Sequence, residues 1–137
     1  MKSSTIYYDI IPLGGSKMND YIINFLKEIM AIDSPSGYTK EVIHHCQKEA
    51  ENLGFHTHQT NKGNLEIYVE GQDDYTVGFC GHVDTLGLMV RSIKSDGTLA
   101  FTNVGGPIIP TLDGEYCRIH TRSGKCYTGT ILSNYPA

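Results

Sequence analysis

The feature that most restricts the fold is a change of apolar period along the chain. Ile22, Phe25, Leu26, Ile29 and Met30 recur at three- and four-residue spacing, which predicts a helix opening at Asn19, with Asn19 or Asp20 capping its free amides. "DSPSG" ends it, because Pro35 and Gly37 fit poorly inside a helix. Ser36 or Thr39 then caps a second helix whose apolar side is Val42, Ile43, Cys46, Ala50 and Leu53, and Gly54 supplies a left-handed stop. From there the period becomes that of strands. "FHTHQT" and "LEIYVE" form a pair joined by "NKGN", the second alternating Leu65, Ile67 and Val69 as a half-covered sheet requires. "YTVGFCG" is short and mostly apolar, which suits a strand buried on both faces. Beyond Gly87, "LMVRSI" and "TLAFTNV" read as one hairpin around "KSDG", "GGPIIP" as a break, and "YCRIHT" and "CYTGTIL" as a second hairpin around "RSGK". No helical period is visible there. The expected fold class is α/β, with an all-β portion beginning near Gly87.

Three segments follow from this pattern: an N-terminal arm or extension over 1–17, an α/β segment over 18–87 and a β segment over 88–137. "GGSK" reads as a break before Met18, so translation starting at Met18 stands beside a start at Met1. A chain of 137 residues is enough for one domain with a core of its own. Eleven Lys and Arg against fifteen Asp and Glu give a formal charge of -4 without any basic run, which argues against nucleic acid as a partner. No apolar stretch approaches the ~20 residues of a membrane span, and "MKSSTIYYDIIPLGGSK" lacks the apolar centre of a signal peptide, so a soluble, cytoplasmic protein is expected. Cys46, Cys80, Cys117 and Cys126 form no C-x-x-C pair and read as small thiols in a reducing compartment; only Cys117 and Cys126 flank a common turn.

The chemistry concentrates in "GFCGHVDTLGLM", residues 79–90. Side chains alternate along an extended backbone, so His82 and Asp84 project together while Val83 points away. A neutral imidazole is a good ligand for Zn or Co, and a carboxylate on its second ring nitrogen fixes the tautomer and raises the basicity of the first. His82 is therefore the candidate metal ligand and Asp84 the residue that holds it, at the carboxyl end of a strand where ligands of open α/β sheets gather. Gly81 and Gly87 let the backbone turn beside them. The alternative is a satisfied polar pair at a strand end without a metal. One histidine does not make a site, since catalytic zinc takes about three protein ligands and an open position. His44 and His45 are adjacent on a helix and point apart, His56 and His58 share a strand face without an acidic partner, and His120 lies in the β portion; all read as structural or solvated.

"SPSGYTKEV", "NKGNLEIYVEG" and "GFCGHVDTLGLMVRSIKSDGTLAFTNVGG", in this order and spacing, resemble the opening part of the glutamyl, lysyl and deblocking aminopeptidase family of cytosolic metalloenzymes that form tetrahedral dodecamers. The likeness runs from about Met18 to the last residue and is most specific from Gly81 to Gly106. It implies the N-terminal part of a zinc-exopeptidase-like α/β/α catalytic domain, followed by an incomplete β-barrel dimerisation domain. It also implies two divalent ions, Zn or Co, peptide substrates cleaved at a free amino terminus, and dimers that assemble further. His82 corresponds to the first metal ligand and Asp84 to the catalytic carboxylate that orients it. Thr85 stands where the family commonly has Glu, which leaves the subgroup and substrate preference open. The remaining ligands and the general base belong to sequence beyond Ala137, so the 137-residue chain is expected to be inactive alone. Two other readings stand beside this one. A related zinc-dependent deacylase or dipeptidase shares the H-x-D triplet, and a non-catalytic remnant would use the β portion as an assembly or binding piece.

Overall fold

The computed structural model describes residues 15–133. The arm assigned to 1–17 lies almost wholly outside them. The described elements are helices α1 (Gly15–Ala31) and α2 (Lys40–Asn52), strands β1 (His56–Gln59), β2 (Leu65–Tyr68), β3 (Gly87–Ile93) and β4 (Leu99–Val104), a short 3-10 turn (Ile109–Leu112), and strands β5 (Tyr116–His120) and β6 (Cys126–Thr130).

Helix α1 begins about one turn before the expected cap, so Asn19 and Asp20 lie inside it. Met18 explains the difference: it falls four residues before Ile22 on the same stripe and is half-buried, so the apolar face, and with it the helix, runs one turn further back. That stripe is covered only in part. Phe25 and Ile29 are half-buried, whereas Ile22, Leu26 and Met30 remain more than half exposed. What joins α1 to α2 is a polar and aromatic seam: the Tyr21 hydroxyl donates to Glu49 Oε1 at 2.8 Å, the Phe25 ring stacks on His45 with centroids 5.6 Å apart, and His45 Nε2 lies 3.1 Å from Glu28 Oε2.

Thr39 occupies the N-cap of α2 but makes no side-chain capping bond, and Ser36 is engaged elsewhere. The C-terminus closes as the sequence predicts. Gly54 takes φ +85°, which only glycine adopts freely, and lets the Phe55 amide donate to Ala50 O at 3.0 Å and the Gly54 amide to Glu51 O at 2.9 Å. Val42 and Ala50 are buried, while Ile43, Cys46 and Leu53 are half-covered. Among the described residues these two aliphatic side chains and Ser34 are the only ones fully inside, so the core is thin.

β1 and β2 form the expected antiparallel hairpin, with His58 opposite Glu66 and Gln59 opposite Leu65. Its turn closes on Thr60, whose hydroxyl accepts the Asn64 amide at 3.1 Å. Helix α2 packs on this hairpin, and Gln47 Nε2 donates to Thr57 Oγ1 at 3.2 Å. The expectation for "YTVGFCG" fails. Residues 75–81 form no strand, and Tyr75, Val77 and Phe79 are exposed, Phe79 to 95%. A strand buried on both faces needs a ladder neighbour and a covering layer, and among the described residues nothing supplies either.

β3 and β4 pair antiparallel, with a register shift between Val90 and Ser92 that leaves Arg91 in a bulge. Their turn is pinned by Asp96, whose Oδ1 accepts both the Thr98 amide at 2.9 Å and the Thr98 hydroxyl at 2.7 Å. By packing, the chain divides between Gly105 and Gly106, so the β3–β4 hairpin groups with the helices. The second unit contains the 3-10 turn and the antiparallel pair β5–β6, and Asp113 Oδ1 accepts the Ser133 amide within it at 2.6 Å. Cys117 faces Gly129 and Cys126 faces His120 across the ladder, so the two thiols are not opposite one another, and all four cysteines are free. The described strands form three separate two-stranded sheets. No helix among the described residues is long and apolar enough to cross a membrane.

Candidate metal-ligand site

The H-x-D triplet sits on an extended segment that is not part of a sheet, so its geometry has to come from other contacts. They come from the loop between α1 and α2. The Thr85 amide donates to Ser34 O at 2.8 Å, the Ser34 hydroxyl donates to Val83 O at 3.0 Å, and Pro35 and Thr85 form a parallel bridge. Ser34 is completely buried, and its hydroxyl is satisfied by a partner 49 residues away in sequence. Gly87 permits this approach, because a Cβ there would stand 2.5 Å from Pro35 Cβ.

On this clipped backbone His82 and Asp84 turn to the same side. His82 Nδ1 lies 3.1 Å from Asp84 Oδ1 and 3.2 Å from the Asp84 main-chain oxygen. The other carboxylate oxygen, Oδ2, accepts a hydrogen bond from the Ser36 hydroxyl. That bond is the main reason the Asp84 carboxyl titrates below its ordinary range; partial burial opposes it, and the neighbouring His82 adds to the lowering. An ionised carboxylate only accepts, so a neutral ring in this geometry would donate from Nδ1 and leave the Nε2 lone pair free. The His82 side chain is 85% exposed, which keeps that nitrogen accessible.

Beside the pair lies a cleft of about 490 Å³ whose walls include Leu26, Met30 and Leu86 together with Ser36, His82 and Asp84. An outward imidazole nitrogen with its partner nitrogen committed to a carboxylate is a donor suited to a divalent ion. The described residues offer that donor singly: no group of three or more His, Cys, Asp or Glu side chains gathers to hold a metal. His44, His56, His58 and His120 are exposed and take no part, and His45 is engaged with Phe25 and Glu28. Ser34 and Ser36 were not singled out by the sequence as site residues. Local reading placed Ser36 at a helix cap, and a contact 48 residues away leaves no local signature.

Residues 63–137 match the family model described as M42 glutamyl aminopeptidase, more than half of the chain. The chain belongs to the M42 glutamyl aminopeptidase family. Within 111 residues it is 41% identical to the putative aminopeptidase YhfE of Bacillus subtilis (strain 168), covering 80% of this chain and 32% of that protein. The fold is similar to the crystal structure of the TET aminopeptidase from the marine sediment archaeon Thaumarchaeota archaeon SCGC AB-539-E09. The TM-score is 0.77 at 28% identity, covering 85% of this chain and 32% of that one. This M42 chain thus spans about a third of the length of the relatives it matches.

Proposed function

We propose that the chain supplies one corner of a metal-dependent aminopeptidase that removes amino-terminal residues from peptides. The observation that carries this reading is the pairing of His82 Nδ1 with Asp84 at 3.1 Å, which leaves Nε2 open beside a cleft in a chain of the M42 family. His82 would hold one of two divalent ions, Zn or Co, through Nε2, and Asp84 would keep the ring in the required tautomer and orientation. When bound, such ions polarise the peptide carbonyl and lower the pKa of a water. Within the chain, Ser34 and Pro35 hold the His82–Asp84 segment in place, and the cleft beside it is where the amino-terminal residue of a peptide would lie. The larger architecture we assign is the start of an α/β/α catalytic domain over 18–87 and part of a β-barrel dimerisation domain over 88–137. It would belong to a cytoplasmic homo-oligomer, in line with the TET aminopeptidase likeness.

The 137-residue chain by itself is inactive on this reading, because the described residues do not gather a ligand set. Hydrolysis of an amino-acid anilide by the purified, metal-supplied 137-mer, abolished by His82→Ala, would refute that. The wider reading is tested by putting residues 18–137 in place of the matching part of the Bacillus subtilis relative. The chimera is expected to hydrolyse the anilide, with a loss of about 10–100-fold for Asp84→Ala and more for His82→Ala. A folded, active chimera indifferent to His82→Ala sinks the assignment.

A further inference from the structure

We infer that Ser36 is a positioning residue for the metal ligand: its hydroxyl fixes the Asp84 carboxylate, which in turn holds the His82 ring with Nε2 outward. This rests on the aminopeptidase reading for its purpose, though the geometry stands independently. A histidine at the end of a strand inherits its direction from the sheet. His82 does not, since residues 75–81 form no strand and the ring is 85% exposed. An aspartate side chain on such a segment has three staggered χ1 wells, which place Oδ1 differently relative to the ring two residues back. Something must select among them.

Asp84 divides its two oxygens: Oδ1 meets His82 Nδ1 at 3.1 Å, and Oδ2 accepts from Ser36. Ser36 is itself anchored. The preceding Pro35 bridges Thr85, its carbonyl accepts the Tyr38 amide at 2.7 Å, and Gly37 takes φ +88° to complete that turn. Ser34 holds the other side by accepting the Thr85 amide and donating to Val83. The main chain on both sides of Asp84 is thus fixed by one serine and its carboxylate by the other. The Asp84 main-chain oxygen, 3.2 Å from Nδ1, is a competing acceptor that does not need Ser36, and the test must separate the two.

The readout is the ring tautomer of His82, from long-range nitrogen–proton correlation spectra of the metal-free 137-residue chain. These are taken about two units above the ordinary imidazole pKa of ~6.5. His82→Ala assigns the resonance. Wild type is expected to show the Nδ1–H form in excess. Ser36→Ala frees Asp84 to populate three wells instead of one, so the ratio of Nδ1–H to Nε2–H falls about threefold. Ser36→Thr keeps the hydroxyl at an exposed position and restores the wild-type ratio, which a merely steric role for Ser36 would not produce. An unchanged ratio in Ser36→Ala shows that the main-chain oxygen suffices and overturns the inference, as does a wild-type chain with no Nδ1–H excess or a threonine variant without rescue. No metal or substrate enters this measurement, so its failure is distinct from failure of the chimera to respond to His82→Ala.

Discussion

Replacing Gly87 by alanine should loosen the candidate site without touching any of its functional groups. The new Cβ would stand 2.5 Å from Pro35 Cβ and 3.2 Å from Pro35 Cγ. Ordinary carbon contacts are at ~3.5–4.0 Å, so the two segments must separate by about 1 Å, and the rigid pyrrolidine ring cannot yield by changing rotamer. Overpacking of this kind costs about 1–3 kcal/mol. The bonds that lie across the same approach, Thr85 N to Ser34 O at 2.8 Å and Ser34 Oγ to Val83 O at 3.0 Å, are the ones that give way. The assay is amide hydrogen exchange at Thr85, where a mid-range cost of ~2 kcal/mol corresponds to about thirtyfold faster exchange. Gly78→Ala is the control, because a Cβ there meets nothing within 4 Å and its φ is not positive; its effect should stay within about 0.5 kcal/mol. If Gly87→Ala leaves Thr85 protection unchanged, or Gly78→Ala reduces it equally, Gly87 and Pro35 are not packed as described.

Val42→Ala removes two methyl groups from one of the few fully buried positions and should cost about 2 kcal/mol, read as a lower urea midpoint at unchanged slope. Tyr21 gives a pH signature. Burial, first, and then the hydrogen bond to Glu49 push its phenol up from 10.0 to about 12. The folded chain therefore holds this proton more tightly than the unfolded chain, so the contribution is intact below pH 10 and is lost as pH rises toward 12. Thermal melts should show that alkaline loss in wild type and a flatter response in Tyr21→Phe.

Much of the fold was legible because its elements are local. Both helices, the Gly54 stop and all three hairpins depend on apolar spacing and on turn residues next to one another, and the pairing of His82 with Asp84 follows from a two-residue offset. The misses are non-local or need a neighbour. "YTVGFCG" has the composition of an inner strand, but composition does not provide the flanking strands that would pair with it. The early start of α1 follows from the half-buried Met18, whose place on the stripe was hidden by the Gly-Gly pair before it. Ser36 was read as a cap because capping is a local role, whereas its observed partner is 48 residues distant.

The contrast between hairpins and clip also orders the steps of folding. Each hairpin closes around a few turn residues, an event of about 1–10 μs, whereas joining Ser34 to Val83 closes a loop across a separation of 49 residues. Loop-closure entropy puts that step at an extra cost of roughly 2 kcal/mol relative to a hairpin before any contact compensates. The candidate site is therefore assembled late, after the secondary structure around it, and it is the part that a modest rise in temperature or denaturant should open first.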